Sequence, residues 1–203
     1  MEYHDLLDVM QMRAERLGLV GEDGHSDAAE LELYLYQALL DVTEWVDLPQ
    51  YLHYSAGICQ TAFQVQEYPL PEDFGRLILP RVQNRRGIYC IDAAASTDLE
   101  YLDPNAFARL PPQTPGRPQQ FSVIGRRLWL TPPPDARDTP YLVQGVYVIR
   151  VGRPDLHETV DVAYPSVLVD QALWRLATDM KLEVPRLTQS RDEGMQRLAQ
   201  GSR

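Results

Sequence analysis

The placement of proline constrains the fold of this chain more than any other feature, because most of its sixteen prolines lie between Pro69 and Pro165. Proline fixes its own φ angle, removes a backbone donor and pushes the preceding residue into extended conformations. Long helices are therefore disfavoured in this stretch. Within it, residues 68–136 contain a proline-bracketed turn, a short strand that leads into an Asp-Pro helix start, and a hairpin that ends in three prolines. The sequence predicts a rigid, β-rich module.

Apolar residues recur at helical spacing on both sides of this module. The patterns predict helices over residues 3–17, 27–46 and 165–182. Asp27 and Glu30 match a capping box at the start of the second helix, since such a pair satisfies two free backbone donors. The predicted fold is α+β, with the N-terminal helix pair and the C-terminal helix packed around an antiparallel β module.

Alternating apolar and polar residues between turn signals predict the strands of the module. The predicted strands are residues 59–65, 76–82, 87–92, 99–102, 121–125, 126–130 and 141–151. With the module placed at 58–151, residues 1–185 form one predicted domain.

Three local signals within the module predict specific backbone features. Asp103 and Pro104 suit the cap and first position of a short helix. Gly125 and Arg126 suit the turn of a hairpin. Gly145, inside the longest predicted strand, indicates a bulge or a close approach of two backbones.

Residues 186–203 hold four arginines and few apolar side chains, too few to build a core. The segment is predicted to be an extended C-terminal arm, either a frayed helix or a stretch that becomes ordered on a partner.

The net charge of −10 lies entirely in the first fifty residues, which hold twelve acidic and two basic residues. Such a segment repels phosphate, which argues against groove-reading nucleic-acid binding. Cys59 and Cys90 lack metal-site spacing and are interpreted as small buried apolar residues in a reducing compartment. Neither a secretory signal nor a membrane-spanning run is recognisable, so the sequence predicts a soluble protein made in a cytoplasm.

Tyr34, Tyr36 and Trp45 widen the apolar stripe of the second helix. An ordinary core explains this width, and a subunit interface would explain it equally well.

No residue pattern in the sequence predicts a catalytic, cofactor-binding or metal site. The pair His157-Glu158 begins like a zinc-protease motif, but position 161 is Asp, and the four histidines are otherwise scattered. The carboxylate pairs Glu72-Asp73 and Asp98-Glu100 could act as acid and base in glycan hydrolysis. Solvated loop carboxylates are the favoured interpretation, and we expect the protein not to be an enzyme.

Two arginine pairs, Arg85-Arg86 and Arg126-Arg127, lie at predicted hairpin turns. Exposed loop tips explain them most simply. Alternatively they contact an acidic neighbour, and the N-terminal helices offer such a surface through Glu30, Asp41 and Glu44. Contacts of this kind between copies of one chain are heterologous and close into a ring.

The order of these segments resembles the head-to-tail adaptor (connector) proteins of podovirus-like tailed bacteriophages. The matching residues are Tyr68, Pro69, Leu70, Pro71, Asp73 and Phe74, then Leu99, Tyr101, Leu102, Asp103, Pro104 and Phe107, then Gly116, Pro118, Phe121, Val123, Gly125, Leu128, Leu130, Pro132, Pro134 and Asp135. Residues 79–98 depart from the pattern, since they are longer than the family's equivalent stretch.

The resemblance implies a structural virion protein of the neck, assembled in the host cytoplasm. It would form a homo-oligomeric ring, dodecameric in such adaptors, that binds the portal protein, docks the tail proteins and extends the channel through which DNA passes without sequence-specific binding. The family pattern identifies no individual binding residues, and the charge and composition of this chain supply three candidate surfaces: a channel-lining acidic face at Glu30, Asp41 and Glu44; subunit or tail contacts at Arg85, Arg86, Arg126 and Arg127; and a portal-docking arm with Arg186, Leu187, Arg191, Met195, Arg197 and Leu198. Alternatives are another neck or tail assembly protein, or a glycan hydrolase.

Overall fold

The computed structural model describes residues 1–19, 28–80, 85–92, 95–160, 162 and 164–201. Within these residues the helices are α1 (Tyr3–Arg16), α2 (Ala28–Trp45), α3 (Pro104–Ala108), α4 (Pro165–Asp179) and α5 (Pro185–Gly201). The strands are β1 (Leu52–Gln60), β2 (Glu67–Pro69), β3 (Phe74–Leu77), β4 (Arg85–Ile91), β5 (Ser96–Tyr101), β6 (Gln120–Ile124), β7 (Arg127–Thr131) and β8 (Leu142–Ile149). The predicted α+β class is confirmed.

The chain divides into two compact units. The helical unit consists of Met1–Gln50 and Val151–Arg203, and the sheet unit is Tyr51–Arg150. Among the described residues no helix is long and apolar enough to cross a membrane.

Helix α4 is the centre of the helical unit, because α1, α2 and α5 all pack on it. Nine of its fifteen residues are buried, including the acid Asp170. Asp170 forms an ion pair with Arg13 of α1 and accepts a 2.6 Å hydrogen bond from Ser190 of α5. A buried carboxylate needs such partners, since desolvation otherwise disfavours its charged form. Asp170 therefore connects three helices.

Helix α4 ends at Asp179, three residues before its predicted end, because the backbone turns left-handed at Lys181 (φ 57°). The Leu182 N–H then donates to the Ala177 carbonyl at 2.8 Å and the Lys181 N–H to the Thr178 carbonyl at 3.0 Å. These two bonds are the usual way of satisfying the last carbonyls of a helix.

The segment predicted as an extended arm is instead helix α5, packed on α4. Pro185 occupies its first position, where proline's fixed φ angle suits a helix start. Leu187 and Leu198 are both buried at 3% exposure. At Gly194 an added Cβ would lie 2.5 Å from the side chain of Val167, so the missing side chain lets α5 approach α4 closely.

The ends of the N-terminal helices agree with their predicted positions to within a residue. Helix α1 is followed by Gly18 in the left-handed region (φ 67°), as expected for a glycine that ends a helix. The capping box predicted from Asp27 lies outside the described residues, which resume at Ala28.

The sheet unit contains a mixed eight-stranded sheet with the order β1-β8-β4-β5-β6-β7-β2, and β3 also pairs with β8. The prediction of a wholly antiparallel module is wrong at one pair of strands. Strands β5 and β6 are parallel, with Glu100 opposite Gln120. The connection between them holds α3 and the proline-rich residues 111–118, and it carries the chain back to the end from which β5 started. Neither β5 nor β6 contains a sequence signal for this return of the chain.

The sheet curls around one core. The seven strands in the order β1-β8-β4-β5-β6-β7-β2 all contribute buried side chains to the same cluster. These are Ile58, Tyr68, Ile88, Cys90, Leu99, Phe121, Leu128, Leu130 and Val143. Cys59 and Cys90 are free thiols, and burial raises the pKa of Cys59 to about 12 and also raises that of Cys90. Both therefore remain protonated at neutral pH.

The first strand of the module was predicted too late in the chain. Residues 59–65 alternate in polarity, yet β1 ends at Gln60 and the backbone turns at Gln64 with φ 61°. The Tyr68 hydroxyl holds this turn, since it donates to the Val65 carbonyl at 2.6 Å and accepts from the Ala62 N–H at 3.0 Å. The alternating polarity of residues 61–65 therefore belongs to a loop held by the buried Tyr68, and not to a strand.

Strand β8, predicted to be the longest, is one residue shorter than the nine-residue β1. It pairs with β1 along one edge and with β4 and then β3 along the other. At Gly145 an added Cβ would lie 2.3 Å from the Gly87 carbonyl oxygen. The predicted close approach of two backbones is confirmed.

Two local predictions are also confirmed. The Asp103 side chain accepts hydrogen bonds from the Asn105 and Ala106 N–H groups, and Pro104 opens α3. Gly125 (φ 56°) and Arg126 (φ 62°) form the two-residue turn between β6 and β7. Successive positive φ angles are typical of the tight turns that join antiparallel strands. Of the strand predicted at 76–82, only the start overlaps β3, and residues 81–84 lie outside the described part.

Candidate assembly surfaces

The exposed face of α2 carries two of the three acids predicted to form an acidic surface. Its buried residues, from Leu31 to Thr43, turn toward the other helices. Glu30 and Glu44 are exposed and lie fourteen residues apart, close to four helical turns, so they share one face. They therefore present negative charge on the exposed face of α2.

Asp41, the third predicted acid, is instead engaged within the helical unit. Arg175 of α4 binds both of its carboxylate oxygens, at 2.6 and 2.5 Å, and Gln171 donates to it at 2.5 Å. Its side chain is 21% exposed. Bidentate pairing with an arginine neutralises this acid and fixes α2 to α4.

The extra apolar width of α2 has two different explanations in the structure. The Tyr34 hydroxyl donates to Asp179 at 2.8 Å, which raises the pKa of Tyr34 to about 12, and Tyr36 donates to the Val151 carbonyl at 3.2 Å. Trp45, in contrast, is 66% exposed, and Leu33 is 48% exposed between the two outward acids. Leu33 was not predicted as a contact residue. The sequence does contain a signal for it, because a leucine that lies off the buried stripe of a helix is available to contact another surface.

Arg85 and Arg86 lie in strand β4 rather than at a hairpin tip. Arg85 forms a 3.0 Å ion pair with Asp98, and its side chain is 56% exposed. The guanidinium of Arg86 stacks 4.6 Å from the ring centre of Tyr101. The pair therefore contacts the neighbouring strand β5 of its own sheet.

Arg126 and Arg127 lie at the tip of the β6–β7 hairpin, as predicted. Arg126 donates to the Glu72 carbonyl at 3.1 Å, and Arg127 forms a 3.0 Å ion pair with Glu67. Both side chains are exposed. Exposed pairs of this kind contribute about 0–1 kcal/mol, so a partner with a stronger acidic surface can compete for these arginines.

The residues predicted to dock on the portal fall into two groups on α5. Leu187 and Leu198 face α4, and Arg191 stacks 4.0 Å over the ring of Trp174 while pairing with Asp192. Met195 is half-buried. The remaining two, Arg186 and Arg197, are exposed, and Arg197 lies 3.9 Å from Glu193, one helical turn earlier.

A shallow groove of about 440 Å³ lies where α4 turns into α5, lined by residues that include Trp174, Lys181 and Leu187. Met180 and Leu182, which lie beside the same turn, are each 45% exposed. This end of the helical unit therefore presents apolar surface close to Arg186.

Of the candidate hydrolase carboxylates, Glu72, Asp73 and Glu100 are exposed, whereas the Asp98 side chain is only 21% exposed. Asp73 accepts 2.8 Å hydrogen bonds from His53 and from the Tyr147 hydroxyl, and these bonds hold its pKa below the usual value. Asp98 pairs with Arg85, and Glu100 accepts from Gln120 at 2.9 Å. A general acid needs a raised pKa and a dry pocket, so Asp73 is unsuited to that role.

Charge is divided unequally between the two units. The helical unit holds 20 of the 29 acids and 9 of the 19 basic residues, for a net charge of −11. The sheet unit holds 9 acids and 10 basic residues, for a net charge of +1. Copies of this chain therefore have electrostatically different surfaces to present to one another.

No protein-family model matches this chain, and no curated protein matches it.

Proposed function

We propose that this chain is a head-to-tail adaptor of a podovirus-like phage: a virion protein that forms a dodecameric ring between portal and tail and extends the DNA channel. One observation carries the proposal. The residues that match the adaptor pattern are those that build the core and turns of the sheet unit, among them Tyr68, Phe121, Leu128 and Leu130, each no more than 6% exposed. The resemblance therefore rests on residues that determine a fold.

The charge distribution supports a channel role for the helical unit. Helix α2 belongs to a unit with a net charge of −11, and like charge removes the phosphate contacts that give proteins affinity for DNA. DNA can then slide past without being held. The exposed apolar residues Leu33 and Trp45 on the same helix suit a contact with a neighbouring subunit.

The arginine-bearing hairpin tip suits a contact between subunits. Arg126 and Arg127 of one copy would meet the acidic α2 face of the next, and a contact between two different surfaces propagates around a ring. Arg186 and Arg197, on the outer side of α5, would meet the portal.

The test is to mix the purified chain with portal rings and to measure the size and rotational symmetry of the particles. We expect a twelvefold ring at the portal neck. Portal particles that never contain the chain would rule out the proposal, and imaged particles that carry it elsewhere on a tail would favour a different neck or tail assembly protein.

The contribution of α5 is tested by charge reversal, because deleting it would expose the α4 surface that Leu187 and Leu198 cover. R186E/R197E should abolish portal binding while circular dichroism and the unfolding midpoint remain unchanged. The matched control is Arg16→Glu, at an exposed position in the last turn of α1. Equal portal binding by R186E/R197E and the control would exclude α5 as the docking surface.

A further inference from the structure

We propose that Glu2, His4 and His157 form a binding site for a divalent transition metal, with Zn²⁺ as the best-suited ion. The residues come from the two separate chain segments of the helical unit, with the two histidines 153 positions apart, so no spacing motif in the sequence reveals them. One ligand atom from each lies within 4.8 Å of the others. The inference is independent of the proposed function.

The distances within the cluster fit a tetrahedral zinc site. Glu2 Oε2 lies 3.2 Å from His4 Nδ1 and 3.4 Å from His157 Nδ1. With Zn–N and Zn–O bonds of about 2.0–2.1 Å, neighbouring ligand atoms of a tetrahedron are about 3.3 Å apart. The two imidazole rings have centroids 5.5 Å apart and planes inclined at 67° to one another. A metal ion can enter with small side-chain adjustments.

Asp5 supplies the outer partner that metal-binding histidines usually have. Its Oδ1 lies 3.3 Å from His4 Nε2, the ring nitrogen that does not face Glu2. His4 Nδ1 also lies 3.3 Å from the Leu156 carbonyl oxygen, so a metal ion would replace that contact while Nε2–H donates to Asp5. Asp5 is itself held in place, since its Oδ2 accepts a 3.2 Å bond from the Glu2 N–H.

The backbone around the cluster is already organised. The Tyr3 N–H donates to the Glu158 carbonyl at 3.0 Å, the His4 N–H to the Leu156 carbonyl at 2.9 Å, and the Val160 N–H to the Met1 carbonyl at 3.0 Å. These bonds hold the start of α1 against residues 156–160. Binding therefore orders little chain, which favours affinity.

The ligand set selects the class of metal. Two imidazoles and one carboxylate suit Zn²⁺ and its transition-metal neighbours, whereas Mg²⁺ and Ca²⁺ prefer all-oxygen sites. Three protein ligands leave the fourth position to water, because His157 is 87% exposed and the site is open. The bound ion would fix the first residues of the chain to the 156–160 segment.

The proposal is tested by titrating the untagged full-length chain with Zn²⁺ in a calorimeter, and with Mg²⁺ as the contrasting ion. We expect one Zn²⁺ per chain, no Mg²⁺ binding, and a rise in the unfolding midpoint that grows with Zn²⁺ concentration.

Single variants assign the ligands. His4→Gln and His157→Gln should each abolish the saturable Zn²⁺ signal without changing the unfolding midpoint of the metal-free protein. Asp5→Asn should weaken affinity about tenfold, the lower end of the usual outer-partner effect, because Asn still accepts a hydrogen bond. The matched control is His53→Gln, in the sheet unit, which should bind Zn²⁺ as the parent does. Absence of one-to-one binding, or binding unaffected by either ligand variant, would overturn the proposal.

Discussion

At the scale of single residues, the sequence predicted correctly that Asp73 is exposed to solvent, but it did not predict the side chains that hydrogen-bond to it. Asp73 was predicted as a solvated loop carboxylate, and its side chain is indeed 46% exposed. Its partners, His53 and Tyr147, are twenty and seventy-four positions away. They meet it because they are opposite one another on β1 and β8, a pairing that depends on the whole sheet.

Asp73→Asn should lower the free energy of unfolding at pH 7 by about 1 kcal/mol, because it removes the charge that strengthens two exposed hydrogen bonds. The folded-state pKa of Asp73 is lowered from 3.8, so its stabilisation is present above that value and is lost as the pH falls through the folded pKa. The two proteins should therefore become equally stable in acid. Urea unfolding, repeated at several pH values, measures this.

The control is Asp138→Asn, which removes the same charge from an exposed loop of the same unit. It should leave stability at pH 7 within about 0.5 kcal/mol of the parent. A stability difference for Asp73→Asn that stays constant down to the lowest pH would show that the carboxylate charge is not its cause.

At the scale of helices and strands, local signals predicted what local physics determines. The Asp103 cap and the Gly125-Arg126 turn depend on a few consecutive residues, and both are confirmed. The parallel pairing of β5 with β6 depends on where a long connection returns, and neither strand encodes that. A frayed helix was one of two alternatives for the segment of α5, and its packing on α4 was not predicted for a related reason: its stability comes from burying leucines on α4, which a count of its own apolar residues does not reveal.

Gly145→Ala should destabilise the protein by about 2–3 kcal/mol, because the new methyl group meets a backbone carbonyl of β4, which cannot move without breaking strand pairing. The matched substitution is Gly152→Ala, where nothing lies within 4 Å of the added carbon. It should be neutral or slightly stabilising, since it restricts only the unfolded chain. Thermal unfolding of both variants measures the contrast, and equal midpoints would show that the sheet adjusts to the methyl group at no cost.

At the scale of the whole molecule, the sequence revealed the acidic N-terminal quarter but not how its charges are used. Asp41 is bound by Arg175 inside the helical unit, whereas Glu30 and Glu44 are exposed on the outer face of α2. The difference arises from packing, because Asp41 borders the buried stripe of α2 and reaches α4. The helical unit carries a formal net charge of −11 and the sheet unit +1, and this asymmetry, with Arg126 and Arg127 exposed at a hairpin tip, gives the ring proposal a specific electrostatic test.

Reversing either side of the proposed subunit contact should prevent ring formation. In R126E/R127E the hairpin tip becomes acidic and faces the acidic α2 of its neighbour, and in E30R/E44R two basic surfaces meet. Each like-charge contact costs up to about 1 kcal/mol and recurs at every interface. Mixing the two variants should restore rings, because an alternating arrangement places opposite charges at every contact. Light scattering measures the loss and recovery, and imaging distinguishes a closed ring from a simple pair.

The control is Arg109→Glu, at an exposed position just after α3, which should assemble as the parent does. Restored rings should dissociate as salt is raised, since surface charges more than about 8 Å apart are largely screened at physiological ionic strength and closer ones weaken as salt increases further. An alternating ring requires an even number of subunits, which twelve satisfies. Variants that assemble normally when alone would show that these four residues do not form the contact, whereas failure of the mixture to recover would place their partners elsewhere on the ring.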